Sequence, residues 1–120
     1  MNINDLQTAT AQQVFDYIAA HLLRQRKKSL RTIEGDRNSG QWCAYRGNGS
    51  TKCAAGCLFE DSQYDPKFEG RSWSSLVYDK VVPGRHSRLI RALQGVHDSV
   101  KPQSWRSALA EVAALFNLVY

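Results

Sequence analysis

Residues 43–70 read CAYRGNGSTKCAAGCLFEDSQYDPKFEG and hold all three cysteines of the chain. Asn48-Gly49 is a two-residue hairpin signal, because both central positions of a type I′ turn need positive φ. Gly47 in front also permits a three-residue loop, Gly47-Asn48-Gly49. The flanks 42–46 and 50–54 suit short strands. In the three-residue register Cys43 faces Cys53, Tyr45 faces Thr51 and Arg46 faces Ser50. In the two-residue register Cys43 faces Ala54. An isolated hairpin is marginal in water, so this one must lie on helices. Beyond it, Gly56 in a run of small apolar residues points to close backbone approach. Asp61 is placed to cap a turn carrying Tyr64. Asp65-Pro66 reads as N-cap and first position of another turn, ended by Gly70.

Working outward, residues 1–9 read as a polar lead-in to a domain spanning 10–120. Thr8 or Thr10 caps a first helix, in which Val14, Phe15, Ile18, Ala19, Leu22 and Leu23 form one apolar stripe. His21 falls off that stripe and is expected in solvent. The helix runs into Arg24-Gln-Arg26-Lys27-Lys28-Ser-Leu-Arg31, where five of eight residues are basic and none is acidic. Cations suit a helix C-terminus, and that structural reading is preferred to a nucleic-acid site. Residues 32–41 read as a loop. After the central stretch, Ser72 caps a short helix with Trp73, Leu76, Val77 and Val81 inward, ended by Pro83-Gly84. Residues 85–99 form another, with Leu89, Ile90, Leu93 and Val96 inward and Arg85, Arg88 and Arg91 along one side. Pro102 starts the last, with Trp105, Leu109, Val112 and Phe116 inward and Asn117 as C-cap. The expected fold is α+β: about four main helices packed around one β-hairpin in a single compact domain.

The chain has 120 residues, which fits one domain with a real core, and a net charge of +5 with a pI near 9.3, which permits nucleic acid, a nucleotide or an acidic protein surface as partner. No apolar run is long enough to span a membrane. The first residues lack the basic and apolar regions of a signal peptide. Three cysteines without framework spacing point to free thiols and a cytoplasmic location.

Cys43-Ala-Tyr-Arg-Gly, a turn, Lys52-Cys53-Ala-x-Gly56-Cys-Leu, Asp61, Tyr64, Glu69-Gly70, Leu93-Gln94-x-x-His97-Asp98 and Trp105 together resemble a family of small proteins of phages, prophages and bacterial genomes. The resemblance runs from about Val14 to Leu118. It implies an origin in a phage or another mobile element, hence the host cytoplasm as location, and implies no mechanism.

Four kinds of chemistry compete for these residues. Cys43, Cys53 and Cys57 with His97 or His86 have the residue types of a zinc site, but Cys-x₉-Cys-x₃-Cys lacks paired CxxC knuckles. Buried free cysteines are the preferred reading, with no metal and no cofactor. Cys53 or Cys57 with His97 and Asp98 has the types of a thiol enzyme. Yet neighbouring helical residues point about 100° apart, so Asp98 is not expected to orient His97. His97 lies on the apolar stripe and reads as a core histidine bonded to backbone or a carboxylate. Asp98 near a helix C-terminus needs a specific partner, such as the following loop or an arginine. The carboxylates Glu60, Asp61, Asp65 and Glu69 read as caps and solubilising groups. Arg24, Arg26, Lys27, Lys28, Arg31, Arg46, Arg85, Arg88 and Arg91, with Arg37 and Lys52, are candidates for binding an anionic partner, and Trp42, Tyr45 and Trp73 for stacking. The leading expectation is an accessory protein of phage type that inhibits a host or defence protein by stoichiometric binding. The alternative is a binder of nucleic acid or a nucleotide signal; a small thiol- or zinc-dependent enzyme comes third.

Overall fold

The computed structural model describes residues 1–32 and 41–120. Four helices and one two-stranded antiparallel sheet occur among them: α1 (Ala11–Gln25), β1 (Leu30–Thr32), β2 (Gln41–Cys43), α2 (Trp73–Tyr78), α3 (Ser87–Ser99) and α4 (Trp105–Leu115). This is the expected α+β domain.

Thr10 starts α1 as a capping box: its hydroxyl accepts the N–H of Gln13, and the Gln13 side chain accepts the N–H of Thr10. The stripe Val14, Phe15, Ile18, Ala19 and Leu22 is buried. Its partners are Leu89, Ile90, Leu93 and Val96 of α3 and Trp105, Leu109 and Val112 of α4. The ring of His86, before α3, bonds the carbonyl of Ala9, before α1, and Ser29 meets His97 at the other end. α1 and α3 therefore run parallel. Gln12 bonds the backbone of Val119, so α4 returns antiparallel to both. Residues 1–9 join this packing, since Ile3–Gln7 form a 3₁₀ turn with Leu6 fully buried.

The expected pairing of 42–46 with 50–54 does not form. β2 pairs with β1, Leu30 opposite Cys43, Arg31 opposite Trp42 and Thr32 opposite Gln41. Between the two expected strands there remain one bridge, Arg46 opposite Lys52, and one bond from Gly47 N–H to the Thr51 carbonyl at 2.9 Å. Asn48–Ser50 form a 3₁₀ turn with Gly49 at φ 71°. The reason is competition for backbone groups. Ala44 N–H donates to the Ser29 carbonyl, and Tyr45 and Arg46 N–H donate to the Glu69 carboxylate at 2.9 and 3.1 Å. The Gln25 amide accepts Lys52 N–H and donates to its carbonyl, both at 2.9 Å, in the manner of a strand. His21 also bonds that carbonyl, at 2.8 Å, so it is half-buried and not in solvent.

Of the loop read over 32–41, Thr32 and Gln41 are strand ends and the rest lies outside the described residues. α2 stops at Tyr78, earlier than Pro83-Gly84, because Asp79 caps it and Lys80 is left-handed at φ 60°. Gly56 shows the expected close approach: a Cβ there would lie 2.3 Å from the Tyr45 carbonyl oxygen.

Candidate functional site

A cleft of about 420 Å³ opens between α3 and residues 69–73. Arg91, Gln94, Gly95 and Asp98 form one wall, at the i, i+3, i+4, i+7 spacing of a single helical face. Arg71 and Trp73 belong to the other, while Cys43 and Tyr45 line it from the sheet side.

Asp98 organises one end. His97 Nδ1 is 2.7 Å from Oδ1 and the Gln94 amide donates to the same oxygen at 2.7 Å. The Cys43 thiol lies within 4.8 Å of the same carboxylate and helps to hold its charge. Burial alone would raise the pKa of Asp98, but these bonds outweigh it and hold the group below its ordinary value. They also supply the partner that a carboxylate in the last turn of a helix needs. The His97–Asp98 bond corrects the expectation that neighbours on a helix point too far apart. Nδ1 is the ring nitrogen nearest its own backbone, and a short carboxylate one residue on can swing across to it.

The other nitrogen of His97 is also engaged. Nε2 accepts the N–H of Ser29 at 2.8 Å, so the ring holds its proton on Nδ1 and donates it to Asp98. The imidazole is fully buried and tilts against Trp105, with ring centroids 5.8 Å apart.

This arrangement suits neither metal nor thiol chemistry. Cys43, His97 and Asp98 do place potential ligand atoms within 4.8 Å of one another. For His97 to bind an ion, either the Ser29 N–H must lose its acceptor or Nδ1 must lose its proton. Two open ligands remain, fewer than a zinc site uses. Cys53 and Cys57 are not in the cluster. The Cys53 sulfur accepts the N–H of Gly56 and the Cys57 thiol donates to the Ala54 carbonyl. Burial, with the Asp98 charge, pushes the Cys43 thiol up to about 11, and burial pushes Cys57 up to about 12 and Cys53 higher still. All three are held as thiols, the poor nucleophile. The partner of His97-Asp98 is Cys43, half-buried on the cleft wall, in place of the expected Cys53 or Cys57.

The basic residues divide into separate groups. Arg24, in the last turn of α1, and Arg26 and Lys27 just after it are exposed. Lys28 is half-buried and donates to the backbone carbonyl of Asp98 at 3.0 Å, which sets this run beside the C-terminal end of α3. Arg85 sits at the opposite end, roughly 20 Å away along the helix. Arg88 is exposed, and Arg91 lines the cleft. Arg46 and Arg31 are built into the loop. The Arg46 side chain, 14% exposed, donates to the carbonyls of Gly56 and Phe59 at 2.7 and 2.8 Å and lies over the Tyr64 ring. Arg31 bonds the Arg46 carbonyl at 2.6 Å and approaches Glu69 at 3.6 Å. Arg37 lies outside the described residues. Trp42 is exposed, whereas Tyr45 and Trp73 are buried and offer little face for stacking.

Arg71, Gln94 and Gly95 are not among the site candidates read from the sequence, and Glu69, read there as a cap or solubilising group, instead holds the backbone at 45–46 from within the cleft wall. The α3 face was legible as a second, polar stripe, but nothing in the spacing of 69–73 points to its place across from it. No family model, curated protein or solved structure matches the chain.

Proposed function

We propose that this is a binding protein that acts by stoichiometric capture of an acidic partner, a host or defence protein if the resemblance to phage proteins holds. The observation that carries this reading is the run Arg24, Arg26 and Lys27: exposed, next to Lys28 in the chain, and without an ion pair among the described residues. Such a cluster speeds encounter with a negative surface and makes binding salt-sensitive. Binding is favoured over catalysis because every thiol is held protonated and both nitrogens of His97 are occupied within the fold.

The test is affinity capture from host extract, followed by measurement of the recovered partner at low and moderate salt. Arg24→Glu/Arg26→Glu/Lys27→Glu should fold normally and lose most of the affinity. Undiminished binding by the folded variant at low salt rules out this surface. Recovery of DNA, RNA or a nucleotide in place of a protein, with a steep salt dependence, favours the nucleic-acid alternative.

A further inference from the structure

We infer that the cleft beside α3 is a receptor for an extended peptide segment carrying an acidic and a basic side chain two residues apart, the acid paired with Arg91 and the base with Asp98. The inference rests on the capture reading above and specifies what the partner presents.

Charge bookkeeping in the cleft leads to this. Four charged side chains line it: Glu69, Arg71, Arg91 and Asp98. Arg71 is bound to Asp79 and Ser75. Glu69 accepts two backbone N–H groups and the Tyr64 hydroxyl, with Arg31 nearby. Arg91 makes no ion pair among the described residues. Among the described residues Asp98 has only neutral donors, and both His97 and Gln94 bond Oδ1, leaving Oδ2 unused by either; its side chain is 39% exposed. Among the described residues one cation and one carboxylate thus remain without a counter-charge. They lie on the same face of α3, about 10 Å apart along its axis. A ligand of one sign would satisfy one and be repelled by the other, so the complement is dipolar.

Gly95 lies between them. A Cβ at this position would meet nothing within 4 Å among the described residues, so none of them requires a glycine here. Glycine weakens a helix interior relative to alanine, and here its effect is to leave room for a ligand backbone to approach. In an extended segment, residues i and i+2 share a face at roughly 7 Å. The longer reach of a lysine spans the remainder.

The probe is the capped pentapeptide acetyl-Gly-Asp-Gly-Lys-Gly-amide, titrated to millimolar concentration into ¹⁵N-labelled full-length protein. The expected result is saturable movement of the Gly95 amide, the Gln94 side-chain amide and the Trp73 indole resonance, several-fold weaker with Asn for Asp or Gln for Lys. Arg91→Gln, on an exposed residue, should weaken binding several-fold, and Gly95→Leu should abolish it while the helix remains. Absence of saturable shifts, or equal shifts in Gly95→Leu and Arg91→Gln, overturns the inference. Arg24→Glu/Arg26→Glu/Lys27→Glu should leave peptide binding unchanged. A captured partner that binds Gly95→Leu as tightly as the parent removes the cleft from the interface and leaves the capture reading standing. Peptide binding with no partner recovered supports the cleft chemistry and counts against that reading.

Discussion

The backbone N–H of Ser29 donates to Nε2 of His97 at 2.8 Å, joining the entry to β1 to the end of α3. Both groups are buried, and each is the other's partner. Removing the ring would orphan a buried N–H, free the Asp98 carboxylate of one donor and open a cavity against Trp105. His97→Ala should therefore lower stability by about 3 kcal/mol. Chemical denaturation of the variant and parent measures it; a loss below about 1 kcal/mol would show that the bond to Ser29 contributes little.

His21 predicts a pH dependence. Burial lowers its pKa from the ordinary 6.5, more than its bond to Lys52 raises it. The unfolded chain then binds a proton that the folded one refuses. The stability tied to neutral His21 is complete above about pH 6.5 and is lost as pH falls from there through the lower folded value. The melting temperature should drop across that window. His21→Gln, whose amide can still donate to Lys52, should flatten the drop.

Two glycines should respond in opposite directions to alanine. At Gly56 the new Cβ meets the Tyr45 carbonyl oxygen at 2.3 Å, so Gly56→Ala should destabilise by about 2 kcal/mol or more. At Gly95 it meets nothing, and Gly95→Ala should stabilise by up to about 1 kcal/mol from helix propensity. Denaturation midpoints of the two variants check both signs.

Cys43 should be a slow thiol. With its pKa pushed up to about 11, roughly one molecule in a thousand carries the thiolate at pH 8. Alkylation by iodoacetamide should accelerate about tenfold per pH unit below that value. Asp98→Asn removes the carboxylate that holds the proton on sulfur and should raise the rate at pH 8. Rapid alkylation of the parent at neutral pH would overturn this account of the cleft.

Local chemistry was legible in the sequence. Thr10, Ser72 and Asp65 cap the elements they were expected to cap, because a short side chain that accepts a nearby N–H acts within three residues. The apolar stripes of α1, α3 and α4 carried the helix packing for the same reason: a 3.6-residue period can be read along the chain. His97 emerged as a core histidine from that stripe alone. The tertiary structure decided what crosses the chain. Asn48-Gly49 does lie in a turn, but a 3₁₀ one in which Gly49 and not Asn48 is left-handed, and its flanks found other partners. Gln25 holds Lys52, and Glu69 holds Tyr45 and Arg46. A side-chain amide or carboxylate competes with a strand for the same backbone groups, and sequence spacing does not show which will be near. The same holds for the cleft. Arg91 and Asp98 share a helical face by sequence, but whether their charges are matched depends on Arg71 finding Asp79 and Glu69 finding the loop at 45–46, which the packing of the folded chain alone sets.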